Sequence, residues 1–165
     1  MESHQLEMTV LMTPDMANFS GNVHGGTLLK LLDQVAYACA SRYAGRYVVT
    51  LSVDQVLFRQ PIHVGELVTF LASVNHTGRS SMEVGIKVLA EDIPTRRQRH
   101  VNSCYFTMVA IEDGRPVAIP ALQPASEVQA RRRREAELRK SARLDLSRRF
   151  EATHPPSNDQ LQETT

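Results

Sequence analysis

The amino-acid sequence predicts an α+β fold: a curved antiparallel sheet wrapped around one long central helix, with an extra helix near the C-terminus. Three observations carry this. Residues 25–43 are apolar around most of a helical circumference, as in a helix buried on nearly all sides. The segments that follow have strand character, and no helix-length segment separates consecutive ones, so neighbouring strands run antiparallel. Beyond residue 124 the composition turns strongly charged. With 165 residues, 42% hydrophobic and 22% charged, the chain fits one ordinary globular domain with length to spare.

The central helix starts at the glycine pair of 25–26 and stops at Gly45. Its polar residues Lys30, Asp33, Gln34, Tyr37 and Ser41 recur at helical spacing and form one narrow stripe. Segment 48–54 alternates, with Val49, Leu51 and Val53 on one face and Thr50, Ser52 and Asp54 on the other. Segment 67–76 alternates more loosely, and 82–90 puts Met82, Val84, Ile86, Val88 and Ala90 on one side. Segment 101–111 is apolar on both faces, as a central strand would be. Turn residues cluster at 60–65, at 76–81 around Gly78, and at 113–114. Residues 126–150 read as a basic helix with Pro124 before it and Ser126 as N-cap, and 151–165 as a polar, disordered tail. The domain proper is therefore expected over 1–125.

Charge is unevenly spread. Residues 1–126 carry 10 Lys and Arg against 11 Asp and Glu, whereas 131–149 carry 9 basic and 3 acidic residues. A run such as 131–134 is ordinarily a solvated helix face, although it also suits CoA phosphates, an anionic membrane or nucleic acid. Aromatic residues are not interleaved with it before Phe150, so no nucleic-acid partner is expected. The apolar runs fall short of the ~20 residues of a membrane-spanning helix. The first residues lack a secretory pattern, and Cys39 and Cys104 are too few and too far apart for a disulfide framework or a zinc site. A soluble, cytoplasmic protein is expected.

Chemistry concentrates in residues 18–33, NFSGNVHGGTLLKLLD. A glycine pair at a helix N-terminus leaves backbone N–H groups free and admits a ligand closely, which suits an anion or a carbonyl oxygen becoming one. Gly25 is the expected donor and Asp33 the helix's carboxylate. Eight residues separate the two, which is ~12 Å at the helical rise. A carbonyl held by the first cannot be attacked by a group positioned by the second. Either they are unrelated, or Gly25 of one subunit meets Asp33 of another, as two antiparallel helices about a two-fold axis would allow. Plainer readings stand beside this one. Asp33 suits a wet helix face paired with Lys30, His24 a capping residue, Asn18 and Asn22 loop residues that satisfy local backbone, and Tyr37 ordinary core. The pattern alone leaves function open.

Four blocks, ANFSGNVHGGTLLKLLDQVAYACASRYAG (17–45), VVTLSVDQVLFRQPIHVGELV (48–68), TGRSSMEVGIKV (77–88) and SCYFTMVAIEDGRPVAIP (103–120), occur in an order that resembles the hotdog-fold acyl-CoA thioesterases, the group of bacterial and brain-type long-chain acyl-CoA hydrolases. The resemblance spans about residues 5–125. It implies hydrolysis of fatty acyl-CoA to free fatty acid and CoA, a homodimer as basic unit, and hexamers built as trimers of dimers. By the same resemblance Asn18 is the catalytic amide, Gly25 polarises the thioester carbonyl, and Asp33 comes from the facing protomer as general base or nucleophile. His24 and Gly26 of the HGG motif, Thr50, Arg59, and the Arg79–Ser80–Ser81 turn are implied to bind the substrate's CoA portion. No cofactor is implied, since CoA is part of the substrate. Two alternatives remain: a non-catalytic acyl-CoA-binding regulator on the same fold, and a hydratase or dehydratase using His24. Having both Asn18 and Asp33 argues against the regulator, and the HGG context favours thioester hydrolysis over hydration.

Overall fold

The computed structural model describes residues 3–153. Strand β1 (Gln5–Leu11) leads through a 3-10 turn (Pro14–Met16) to helix α1 (Gly25–Ala44). Then come β2 (Val48–Val53), β3 (Leu67–Thr77), β4 (Ser81–Asp92), β5 (Arg97–Glu112), the short β6 (Arg115–Pro116) and helix α2 (Glu127–Thr153). The main sheet has the order β1-β3-β4-β5-β2, β6 pairs with β5, and every pairing is antiparallel. The chain divides into two compact units between Gln123 and Pro124.

The sheet curls around α1 for a reason visible in its ladder. The ladder shifts register at Thr50/Ser52, Val74/His76 and Val88/Leu89, and such bulge-type irregularities increase the local twist and bend of a sheet. On the concave side Val68, Phe70, Val84, Ile86, Phe106 and Met108 are buried in one core with Leu28, Leu32, Val35, Ala36, Cys39 and Ala40 of α1. Those helix residues recur at three- and four-residue intervals, the spacing of a single helical face. At the other end of α1, Gly45 takes a left-handed φ of 62° and its N–H donates to the Ser41 carbonyl, which closes the last turn. Asp113 and Gly114 both have positive φ, the geometry of a tight hairpin between β5 and β6.

Two expectations need correction. The helix is not covered on nearly all sides: its polar stripe, with Leu29 at 41% and Tyr37 at 42% exposure, faces outward in the single chain. On β2, Val48 is buried at 1% while Leu51 at 68% and Val53 at 44% are open, because their side chains lie on a part of the strand that nothing in the single chain covers. Strand β1, not singled out from the sequence, packs Leu6, Met8 and Val10 onto the core by simple alternation.

In the second unit, the Ser126 hydroxyl accepts from the Gln129 N–H at 3.3 Å, the expected N-cap. Pairs Arg131–Glu135, Arg133–Glu137 and Arg149–Asp145 lie four residues apart on its surface, at 3.2, 3.0 and 2.9 Å. They make this a salt-bridge-laced helix rather than a bare cationic rod. The helix continues through Thr153, so 151–153 are helical and not a disordered tail; 154–165 lie outside the described residues.

Candidate active site

The loop before α1 is organised by Asn18. Its side-chain Oδ1 accepts from the N–H groups of Ser20 at 2.9 Å and Asn22 at 3.2 Å, while its own N–H donates to the Asn22 carbonyl at 2.6 Å. Backbone N–H groups donate only, so these two bonds determine which end of the amide is oxygen. The Nδ2 end is left as a pure donor, with no partner among the described residues. Asn18 can therefore donate to a carbonyl or a water; it cannot serve as a base.

Gly25 follows as the first residue of α1, and its N–H has no partner among the described residues. The neighbouring Gly26 N–H is not free, because it donates to His24 Nδ1 at 2.9 Å. His24 is thus the N-cap of α1, one of the plainer readings of the sequence, and Gly25 supplies the open donor. A Cβ at Gly25 would meet only the Phe58 ring, at 3.8 Å. Packing within the chain therefore does not require glycine there, and its lack of a side chain leaves the N–H open to close approach.

Asn18, Asn22, Gly25, Leu28, Phe58 and Arg59 line a cleft of about 360 Å³. Phe58 and its neighbours Gln60 and Pro61 also line the cleft; the sequence marks 60–65 as a turn but gives none of the three a role in the site. Of the expected site residues, the cleft gathers Asn18, Gly25 and Arg59.

Asp33 is elsewhere. It sits on the outward stripe of α1, and the Thr50 hydroxyl of β2 donates to its Oδ1 at 2.6 Å. No ion pair joins it to Lys30 among the described residues. Thr50 opposes Met108, which opposes Met82, so the Arg79–Ser81 turn lies just beyond that same row of the sheet. The turn is docked through its backbone: Ala110 N–H donates to Ser80 O at 2.9 Å and Ile119 N–H to Arg79 O at 3.0 Å. This leaves the Arg79 side chain exposed. The predicted residues therefore fall into two groups, donors around Gly25 and the Asp33 carboxylate held by the Thr50 hydroxyl, and one chain does not bring them together.

Neither cysteine belongs to either group. Burial pushes the Cys39 thiol up to about 11 and the Cys104 thiol up to about 12, so neither is a thiolate nucleophile near neutrality.

Residues 20–96 match the family profile described as Thioesterase superfamily. Over 139 residues the chain is 55% identical to protein VdlD of Helicobacter pylori, covering 84% of this chain and 80% of that protein. A hexameric acyl-CoA thioesterase in its apo form superposes with a TM-score of 0.83 at 32% identity, covering 87% of this chain and 92% of the other. An acyl-CoA hydrolase of Staphylococcus aureus, solved with butyryl coenzyme A and coenzyme A, superposes at 0.79 with 29% identity over 91% of this chain and 94% of its own. Fold, profile and sequence identity agree: the chain belongs to the thioesterase superfamily, among its hotdog-fold acyl-CoA thioesterases.

Proposed function

We propose that the protein hydrolyses fatty acyl-CoA to free acid and CoA at a site shared between two protomers, Asn18 and Gly25 from one and Asp33 with Thr50 from the other. The observation that carries this is the split between the open donors in the cleft and the Thr50-held carboxylate, ~12 Å along the helix. Antiparallel packing of two α1 helices across their outward stripes joins the two groups twice per dimer. The exposed stripe and the apolar edge strand β2 support it, since an uncovered edge and apolar patch favour burial against a second copy.

The chemistry follows from the donors. The Gly25 N–H and Asn18 Nδ2 hold the thioester carbonyl oxygen and stabilise the negative charge it gains on attack. Asp33 takes a proton from water as the water oxygen bonds to the carbonyl carbon; the C–S bond then breaks and the proton passes to the departing sulfur. In the other balanced route an Asp33 oxygen bonds to the carbonyl carbon as the C–S bond breaks and the CoA thiolate departs. Water then cleaves the mixed anhydride to the free acid, regenerating the carboxylate, and the proton it releases goes to the thiolate. Thr50 holds one carboxylate oxygen in either case and leaves the second for the reaction. Water is the only co-reactant, and no cofactor enters.

The relatives support these assignments. Three solved variants of the Staphylococcus aureus hydrolase replace an asparagine, an aspartate and a threonine with alanine. In that protein the aspartate lies 15 residues after the asparagine and the threonine 17 further on, the same spacing as Asn18, Asp33 and Thr50. Arg59 and the Arg79–Ser80–Ser81 turn are assigned to the CoA portion, and the oligomer to a trimer of dimers in the cytoplasm, in keeping with the hexameric relatives. Among the described residues, no helix is long and apolar enough to cross a membrane.

Thiol release from a panel running from acetyl- to palmitoyl-CoA, with wild type and Asp33→Ala side by side, tests this. Turnover that Asp33→Ala abolishes without unfolding supports the reading. Tight CoA-ester binding with no turnover on any substrate moves the protein to the regulator class.

A further inference from the structure

The cleft wall and the Asn18 loop are tied to a half-buried ion pair, a buried Glu66 with a partly exposed Arg99, that the chemistry above does not use. Arg99, near the start of β5, grips Glu66 with both ends of its guanidinium, Nη1 at 2.5 Å from Oε1 and Nη2 at 2.8 Å from Oε2. The same Nη2 donates to the Pro61 carbonyl at 2.7 Å, and Glu66 Oε2 accepts from the His63 N–H at 2.8 Å. Segment 61–66 is thus clamped at both ends by one pair. From it, His63 Nδ1 donates to Asn22 Oδ1 at 2.9 Å, and the Asn22 N–H donates to Asn18 Oδ1. The Val23 N–H adds a bond to the Ile62 carbonyl at 2.8 Å.

We infer that Arg99, Glu66 and His63 are positioning residues: together they form a hydrogen-bonded relay from β5 through segment 61–66 to Asn22, which fixes the loop carrying Asn18 and aims its amide at the reacting carbonyl. The inference rests on the reading that Asn18 works at the site. Three features favour a positioning role over simple stabilisation. The Arg99 side chain is still 28% exposed, and an ion pair with a solvated partner contributes little to stability. Glu66 is only 6% exposed, yet the Arg99 guanidinium beside it holds its carboxyl below the usual range, so the charged pair persists. And what the pair immobilises is the cleft itself, Pro61 and Ile62 on one wall and Asn18 at the other. Reacting groups misplaced by about 1 Å cost up to about a hundredfold in rate, so a loop held from outside the site matters to turnover.

His63 is the link to cut, because its side chain is exposed and its bonds to Glu66 are made by its backbone N–H and carbonyl. The experiment measures kcat, KM and Tm of the full-length protein on its best acyl-CoA, for His63→Ala, His63→Asn, Asn18→Ala and His63→Ala/Asn18→Ala. His63→Ala should lower kcat about tenfold, with KM within about twofold and Tm unchanged, the size expected for one lost hydrogen bond. His63→Asn, whose Nδ2 stands near the position of the ring Nδ1, should recover most of it. In the Asn18→Ala background His63→Ala should do nothing further, since there is no amide left to aim. Arg99→Lys, which keeps the charge and loses the fork, should show the same pattern with a smaller loss. An unchanged kcat for His63→Ala beside an impaired Asn18→Ala overturns the relay and leaves the shared site standing. So do effects that multiply fully in the double variant. A fully active Asn18→Ala instead refutes the assignment of Asn18, and the relay with it.

Discussion

Removing the Thr50 hydroxyl isolates a single hydrogen bond of the candidate site. In Thr50→Val the side chain stays β-branched, so its fit to a strand is kept while the 2.6 Å bond to Asp33 Oδ1 disappears. A hydrogen bond to a charged group contributes about 1.5–3 kcal/mol. At about 1.4 kcal/mol per decade, its loss predicts a fall in kcat of roughly 10- to 100-fold. KM should move little, because Thr50 orients the carboxylate and does not carry the acyl group. Any loss of thermal stability should stay within what that one hydrogen bond contributes, because valine keeps the β-branched shape of the side chain. The assay is thiol release under saturating acyl-CoA, with a melting curve for each variant. Thr50→Ser restores a hydroxyl at the same Cβ and should recover most of the rate. Equal activity in wild type and Thr50→Val, or equal damage in the Ser and Val variants, would refute the claim that this hydroxyl holds the working carboxylate.

Gly25→Ala should fold with a Tm near wild type, because its Cβ meets only the Phe58 ring at ordinary distance, yet lose about tenfold or more in kcat/KM as the methyl crowds the approach to the N–H; full activity would remove Gly25 from the site. Glu66 gives a pH prediction. Its carboxyl is held below the ordinary range by Arg99 in the folded chain, so the unfolded chain binds more protons and the pair's contribution is complete above the unfolded pKa of about 4.5. That contribution fades as pH falls through the lower folded value, so the wild type should lose more stability between pH 5 and pH 3 than Glu66→Gln does, measured by denaturant unfolding; parallel curves would contradict this.

Much of the fold could be read from local pattern because it is local. The helix was legible from the apolar face of Leu28, Leu32, Val35 and Cys39 and from Gly45 as its stop, and the hairpins from Gly78 and from Asp113–Gly114. The site was legible only as candidates. Whether His24 caps the helix or acts in chemistry depends on a ring orientation, and both uses suit the same residue at the same position. Asp33 with Thr50, and Glu66 with Arg99, are partners across 17 and 33 residues, chosen by helix packing and strand register rather than by spacing. Lys30, the partner that spacing offered to Asp33, is not the one the fold supplies. The openness of Leu51 and Val53 was equally hidden, because alternation tells which side chains share a face and not what covers that face.

The central claim is that one chain's donors serve another chain's carboxylate, and subunit mixing tests it most directly. Asn18→Ala and Asp33→Ala proteins, each inactive alone, are unfolded together in equal amounts and refolded. Random pairing makes about half of the dimers mixed, and each mixed dimer holds one intact site, so recovery of about a quarter of wild-type activity is predicted. Mixed dimers isolated by two different affinity tags should reach about half. Verified mixed dimers with no activity would contradict a site shared between protomers.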